Sequence, residues 1–470
     1  MPDWEALGRQ VGGEVALPGS PAYRAAPPAF NARFREVRPS AVVSCTSPED
    51  AAEAISFAGR HGLEIGTRAG GHSFAGHSST RGLLIDVTPM RSVTVAGGTA
   101  MVGAGARLGE VYEALQAHDL TIPGGTCPPV GVAGLSLGGG LGILGRRYGV
   151  TSDHLVGAEV VLADGRVLGC DDRHDEDLFW ALRGAGAGSF GVVTRLVFRP
   201  VPAPSSTTNL HLAWPFVDAA AVIGAWQRWA PTGPDELAAS LKVTAGDDPD
   251  RPPAVDVWGA FHGPRADAAR LVEELVARVG SDPAAAALTP LTWPQTRKFW
   301  AELGEPAQQP GGPSVPRPPQ QQCLYARSEF FARPLPPEAV AALLEVFDKD
   351  RAAGESRELD FMPWGGAYNR PAPDATAFVH RDQLFQLKHA TVVDADAPPA
   401  SQAAAHRAAT RSWASVHPWG SGRVFQNFAD PDLEHWADAY YGPNYPRLVQ
   451  IKARYDPSGR FRFEQSVGAG

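Results

Sequence analysis

The chain has 470 residues, 44% of them hydrophobic, enough to bury the cores of two or three domains. Its 42 Lys and Arg against 51 Asp and Glu give a formal charge of −9, so there is no global basic field to hold a phosphate backbone, and no nucleic-acid partner is expected. MPDWEALGRQVGGEVAL is interrupted by charge and glycine, and the one long uncharged stretch, TIPGGTCPPVGVAGLSLGGGLGILG, is too rich in Gly and Pro for a membrane helix; a cytoplasmic protein without a transmembrane span is expected.

After an N-terminal arm, VVSCTSPEDAAEAISFAGRHGLEIGTRAGG reads as strand, helix, strand and turn, with Pro48 near the helix start and Ala51, Ile55 and Ala58 at helical spacing. LLIDVTPM and RSVTVAGG add short strands, and ARLGEVYEALQAHDL places Leu108, Val111, Tyr112 and Leu115 on one helix face. Residues 121–150 are so rich in glycine that sharp turns or a close approach to a ligand must repay the backbone entropy. LVGAEVVLADGRVL then reads as two strands around a DG turn, followed by the helix DEDLFWALRGAG and the strand FGVVTRLVF. A first domain closes at about residue 204.

Residues 205–405 alternate strand-like pieces (LHLAW, AVDVWGAF, TAFVHRDQLFQLKHATVV) with Ala-rich helical ones (AAAVIGAWQRWA, ADAARLVEELVARV, PEAVAALLEVF), an α+β pattern without a repeat. GEPAQQPGGPSVPRPPQQQ, at 304–322, reads as a surface loop. The tail, 406–470, holds two helix candidates and ends in YYGPNYPRLVQIKARYDPSGRFRFEQS, dense in aromatic, amide and charged groups.

The chemistry is concentrated in two turns. In Arg68-Ala69-Gly70-Gly71-His72-Ser73, between two strands, successive backbone amides can cradle an anion such as a pyrophosphate; a lone His there more often hydrogen-bonds than reacts. Cys127 lies between Gly124-Gly125-Thr126 and Pro128-Pro129, where no regular element runs past it, and by itself it reads as a packed thiol or a reactive one. The four cysteines show neither metal-ligand spacing nor disulfide density. Gly103-Ala104-Gly105 and Gly184-Ala185-Gly186 each lack the third glycine of a dinucleotide fingerprint, which would fall at Leu108 and Ser189. No metal motif is visible.

Taken together, His72 within RAGGHS, Cys127 within GGTCPPVGVAGLSLGGGLG and the closing YYGPNYPRLVQIKARYDPSGRFRFEQS resemble the berberine bridge enzyme-like branch of the vanillyl-alcohol oxidase flavoproteins, along nearly the whole chain. The resemblance implies an α+β fold: a two-subdomain FAD-binding domain (1–204), a substrate domain with an antiparallel sheet covered by helices (205–405), and a C-terminal segment (406–470) returning to the first. It further implies FAD attached through its 8α-methyl carbon to His72 and through C6 to Cys127, two tethers that fix the ring and tend to raise its reduction potential. Gly70, Gly71 and Ser73 are then expected at the pyrophosphate, with Arg68 in the same turn. Gly138, Gly139 and Gly140 are expected close to the cofactor, Gly188 and Val193 on its adenine side, and Tyr441 and Asn444 at the ring with Gln465 in support. Val130, three residues past Cys127, resembles an oxygen gate whose small side chain admits dioxygen, with hydrogen peroxide as second product.

The chain also departs from its family. Where many relatives carry a tyrosine base, FQNFAD has Phe425 and Phe428, and Phe74 replaces a further tyrosine two residues after His72, so a more apolar pocket is expected. On HRDQLFQLKHATVV, period 2 puts Phe385, Leu387 and His389 on one face, which makes His389 the candidate base, Lys388 opposite it the weaker one. Tyr368 and Tyr325 could each supply a phenol, and Phe361 and Trp364 could shape the pocket wall. The expected activity is oxidation of an alcohol or a cyclic secondary metabolite; a dehydrogenase with another electron acceptor, or a decayed flavin-containing binding protein, are the alternatives. A monomer or weak homodimer fits.

Overall fold

The computed structural model describes residues 2–26, 29–303 and 321–468; the segment expected as a Pro- and Gln-rich loop lies outside them except for Gln321 and Gln322. A four-stranded sheet runs in the order Glu14–Ala16, Ala41–Ser44, Leu83–Asp86, Ile65–Arg68, with its last three strands parallel. Between two of them crosses the helix Pro48–Arg60, started by Pro48 and by the Ser47 hydroxyl, which accepts from the Asp50 amide at 3.3 Å. It buries Ala51, Ala54, Ile55 and Ala58. The RAGGHS turn thus leaves the carboxyl end of a parallel strand, where open α/β sheets hold their ligands.

A five-stranded antiparallel sheet follows, in the order Val93–Ala96, Thr99–Gly103, Val192–Phe198, Leu155–Val161, Val167–Cys170. Both sheets share one core with the C-terminal segment, which contributes Tyr440, Tyr441, Leu448, Ile451 and Phe461.

The third layer is a seven-stranded antiparallel sheet, ordered Ala285–Leu291, Thr207–Pro215, Ala254–Phe261, Leu237–Ala245, Glu355–Pro363, Phe385–Asp394, Gln322–Phe331. Trp226, Leu343, Phe361, Phe385 and Leu387 form the core under its helices Ala219–Trp229, Arg265–Val279 and Pro337–Asp348. This mixed architecture of antiparallel sheets flanked by helices is the α+β fold expected from sequence. Two local differences matter. The strands Leu237–Ala245 and Glu355–Pro363 were not among the strand-like pieces, and TAFVHRDQL is not strand: Ala377 and Phe378 donate their amides to Trp180 O and Arg183 O in the first domain, which removes them from the ladder. Among the described residues no helix is long and apolar enough to cross a membrane.

Candidate active site

Two turns meet backbone to backbone. A Cβ on Gly70 would lie 2.2 Å from Gly131 N, and one on Gly131 would lie 2.4 Å from Gly70 N, so both positions must be glycine for the RAGGHS and CPPVG turns to touch. The CPPVG turn is strung along the start of the helix Leu108–Gln116: Leu108 N donates to Val130 O and Gly109 N to Pro128 O, and Val132 N donates to Ala106 O. Cys127 is exposed at its apex. On the facing turn, burial and the nearby Arg107 cation push the His72 imidazole down to about 4, so it is neutral at physiological pH.

The N-terminal arm closes one side. Phe30 donates its amide to Gly71 O at 3.2 Å and stacks on His72 with ring centroids 4.5 Å apart. Asn31 bonds Phe74 O at 3.1 Å and both Leu324 O and Leu324 N, at 2.9 and 3.1 Å, joining the His72 turn to the large sheet. Phe74 stacks on Phe30 at 5.9 Å and on Phe428 at 5.2 Å. Above Phe428, at 5.4 Å from its centroid, sits the Lys388 ammonium. The rings that replace the family's tyrosines therefore form one stack, from His72 to the floor of the large sheet.

That floor is charged. Asp256, Lys242, Asp360, Lys388 and Ser328 lie directly opposite one another on five neighbouring strands and so share a face. Glu358 bonds Lys242 and Lys388, each at 3.0 Å; Asp360 Oδ2 is 3.3 Å from Lys388 and 3.9 Å from Lys242. Burial works to lower the Lys388 pKa, but Glu358 and Asp360 outweigh it and hold the ammonium well above its ordinary range. Further along, His211 Nε2 meets Asp256 Oδ1 at 2.7 Å and its ring stacks on Trp258 at 3.5 Å. The apolar pocket expected from Phe74 and Phe428 is thus apolar on one wall only. Lys242, Glu358 and Asp360 come from strands outside the strand-like pieces named above; the alternation in LAASLKVTA and ESRELDFMP is the signal that reveals them.

His389 is not part of this floor. It shares a face with Phe385 and Leu387 as expected, but that face is the helix-covered one: His389 is 1% exposed and its Nδ1 lies 2.8 Å from Ser412 Oγ. Lys388, the weaker candidate, faces the His72 side, because period 2 separates neighbours completely. Tyr368 is buried against Trp364 and its hydroxyl is held by Gly142 O at 3.2 Å. Tyr325 lies under the Arg33 guanidinium, 4.4 Å from its centroid, and stacks on His406. Phe361 is core, and Trp364 packs among Phe330, Tyr368 and Phe378.

The remaining positions are distributed around the two turns. Arg68 is buried and donates to Ser78 O at 2.9 Å, while Ser73 Oγ accepts from His77 N at 3.0 Å. Cβ atoms on Gly138, Gly139 and Gly140 would run into Asn427, Phe378 and Thr151, so protein packing by itself requires those glycines. Gly188 has φ of 83° beside Thr67 and Phe463, and Val193 is buried in the five-stranded sheet. Tyr441 donates to Ala185 O at 2.8 Å, pinning the C-terminal segment to the first domain, and Asn444 donates to Pro373 O at 2.8 Å, tying it to the second. Gln465 bridges Asp430 and Tyr440.

The buried hydroxyls of Ser78, Ser136 and Ser152 make no hydrogen bond within the chain, a cost that a polar ligand would remove. A cavity of about 310 Å³ opens beside Thr126 and Pro128, lined also by Tyr112, Trp293 and Arg297. A neutral imidazole, an exposed thiol and orphaned hydroxyls together suit a large polar cofactor such as FAD. Comparison with known proteins agrees. Residues 39–171 match the FAD binding domain model and 424–468 the berberine and berberine-like model. The chain is 30% identical over 97% of its length, and 98% of the relative's, to the uncharacterised FAD-linked oxidoreductase YvdP of Bacillus subtilis (strain 168).

The chain belongs to the berberine bridge enzyme-like FAD-linked oxidoreductases.

Within that family it is 30% identical to the chitooligosaccharide oxidase of Gibberella zeae, covering 96% of this chain and 91% of the relative. A solved structure, the D396N variant of Physcomitrella patens BBE-like 1, superposes with a TM-score of 0.88 at 28% identity, with 99% of each chain covered. The berberine bridge enzyme-like family membership makes the protein an FAD-binding oxidoreductase, and the site described above is where the turns of its FAD binding domain meet the seven-stranded sheet.

Proposed function

We propose that this protein is an oxidase that carries FAD on two covalent bonds, to His72 and Cys127, and oxidises an alcohol or a cyclic secondary metabolite with dioxygen as final electron acceptor. The observation that carries the reading is the Gly70–Gly131 contact, which sets a half-buried neutral imidazole and an exposed thiol on two touching turns. A neutral His nitrogen has the free lone pair that attachment requires, and an exposed Cys is accessible to the same ring. When bound, FAD supplies a two-electron acceptor for a hydride from carbon.

The chain's own residues do the rest. Gly70, Gly71 and Ser73, with Arg68, would hold the pyrophosphate; Gly138, Gly139, Gly140, Gly188 and Val193 would shape the cofactor's bed; Tyr441 and Asn444 would fix the C-terminal segment over it. Phe30, Phe74 and Phe428 exclude water from one wall, and the charged strands orient the substrate on the other. Val130, at the Cys127 turn, would leave dioxygen access to the flavin.

Unfolding the purified protein tests the reading. Yellow colour should stay on the chain in the wild type, in H72A and in C127A, and be released only from the double variant. Free flavin released from the wild type would refute two covalent bonds. Rapid reoxidation in air separates an oxidase from a dehydrogenase.

A further inference from the structure

We propose that Asp360 is the proton acceptor of the oxidation, that Lys388 binds the same substrate oxygen, and that this floor takes a polyhydroxylated substrate. The inference rests on the oxidase reading above and assigns the base that the loss of tyrosine at Phe428 leaves open.

Elimination and geometry both lead to Asp360. The Tyr368 phenol is held by Gly142 O, Tyr325 pairs with Thr391 and so shares the His389 face opposite the floor, and Phe428 has nothing to titrate. Of the four interlocked charges on the floor, Lys242 and Lys388 are cations and donate only. Glu358 spends one oxygen on each lysine. Asp360 gives only Oδ2 to the lysines; its Oδ1 has no hydrogen-bond partner, although the residue is 7% exposed. A shielded carboxylate oxygen without a donor is costly, and a substrate hydroxyl is the donor it lacks. Gln386, in the next register row on the same face, likewise has an unpartnered Oε1. Two open acceptors beside two ammonium groups match a substrate with several hydroxyls, each of which donates and accepts; a hydrocarbon-like substrate would leave both acceptors unsatisfied.

In the step itself the substrate O–H bond breaks and its proton passes to Asp360, while the Lys388 ammonium steadies the negative charge growing on oxygen. FAD, when bound, would supply the two-electron acceptor that takes the C–H electron pair as hydride, so that C–O becomes C=O. Lys388 stays protonated throughout.

The test uses the flavin-loaded full chain with cellobiose, xylobiose and N,N′-diacetylchitobiose as probes, under anaerobic conditions, following flavin bleaching and, separately, probe dissociation constants by calorimetry. At least one probe should bleach the wild type. D360N should bleach roughly 10²- to 10⁴-fold more slowly, the usual worth of a positioned base, with its dissociation constant within about threefold of wild type. D360E should recover part of the rate. A loaded wild type that none of the probes bleaches, or a D360N that bleaches within about threefold of wild type, overturns the proposal. If D360N does not fold, K388M decides: slower bleaching with weaker probe binding is expected, and no change in either overturns it. A wild type that holds no flavin after denaturation fails the covalent reading instead, so the two failures are distinguishable.

Discussion

Gly131→Ala isolates the contact on which the site depends. The new Cβ would stand 2.4 Å from Gly70 N, 3.0 Å from Gly70 Cα and 3.1 Å from Ala69 Cβ. Ordinary contact begins near 3.4 Å, so the turns must part by about 1 Å, and both near neighbours are backbone, which cannot swing aside as a side chain would. Overpacking of this kind costs about 1–3 kcal/mol, which for a domain of this size lowers Tm by roughly 2–12 °C. The larger effect falls on cofactor attachment, because a misplacement of about 1 Å at a reacting centre can cost on the order of 10²-fold in rate. The assay is the absorbance spectrum and exact mass of the flavin that stays on the chain after denaturation, which distinguish one bond from two, in wild type, G131A, H72A and C127A. G131A should lose one of the two bonds on most chains, and its loss should resemble that of a single tether variant. Wild-type retention of both bonds at unchanged Tm would refute the claim that this glycine pair sets the geometry.

Other substitutions probe the surroundings. Burial first, and the Arg327 cation second, push His389 down to about 3, whereas an unfolded histidine takes up a proton near 6.5; the unfolded chain therefore binds more protons between those values, and stability falls as pH drops below about 6.5. H389Q should shrink the loss of unfolding free energy between pH 7 and pH 5 by about 2 kcal/mol in urea titrations, and an unchanged loss would contradict the buried neutral state. H389Q should also leave flavin bleaching near wild type, since its face is the helix-covered one. Arg146 is 2% exposed and its guanidinium reaches Leu237 O, Pro231 O, Gly233 O and Trp364 O across the domain boundary, so R146M should cost at least ~3 kcal/mol by denaturant unfolding, and a change below about 1 kcal/mol would refute that role. V130L should slow reoxidation of the reduced enzyme by dioxygen in stopped-flow mixing without altering flavin bleaching; equal reoxidation would remove Val130 as a gate.

Local chemistry was legible in the sequence wherever it depended on neighbours in the chain. Pro48 and the spacing of Ala51, Ile55 and Ala58 announced a helix, and the DG turn in LVGAEVVLADGRVL announced the two strands around it in the five-stranded sheet. The glycine-rich runs around His72 and Cys127 announced turns with a purpose, and the three motifs in order were enough to suggest a family, hence a fold. What the tertiary structure decided is everything that depends on which face meets which partner. Period 2 correctly grouped Phe385, Leu387 and His389 but carries no sign, so only the helices packed over that face show that His389 is interior and Lys388 faces His72. Phe at 74 and 428 suggested an apolar pocket because two tyrosine hydroxyls are lost there. Lys242, Glu358 and Asp360 come from strands more than 60 residues distant from Phe428, and only strand pairing sets them in one row with Lys388. The same holds for Gly70 and Gly131: each alone reads as a flexible turn, and the requirement that neither carry a side chain exists only because the folded chain presses one against the other.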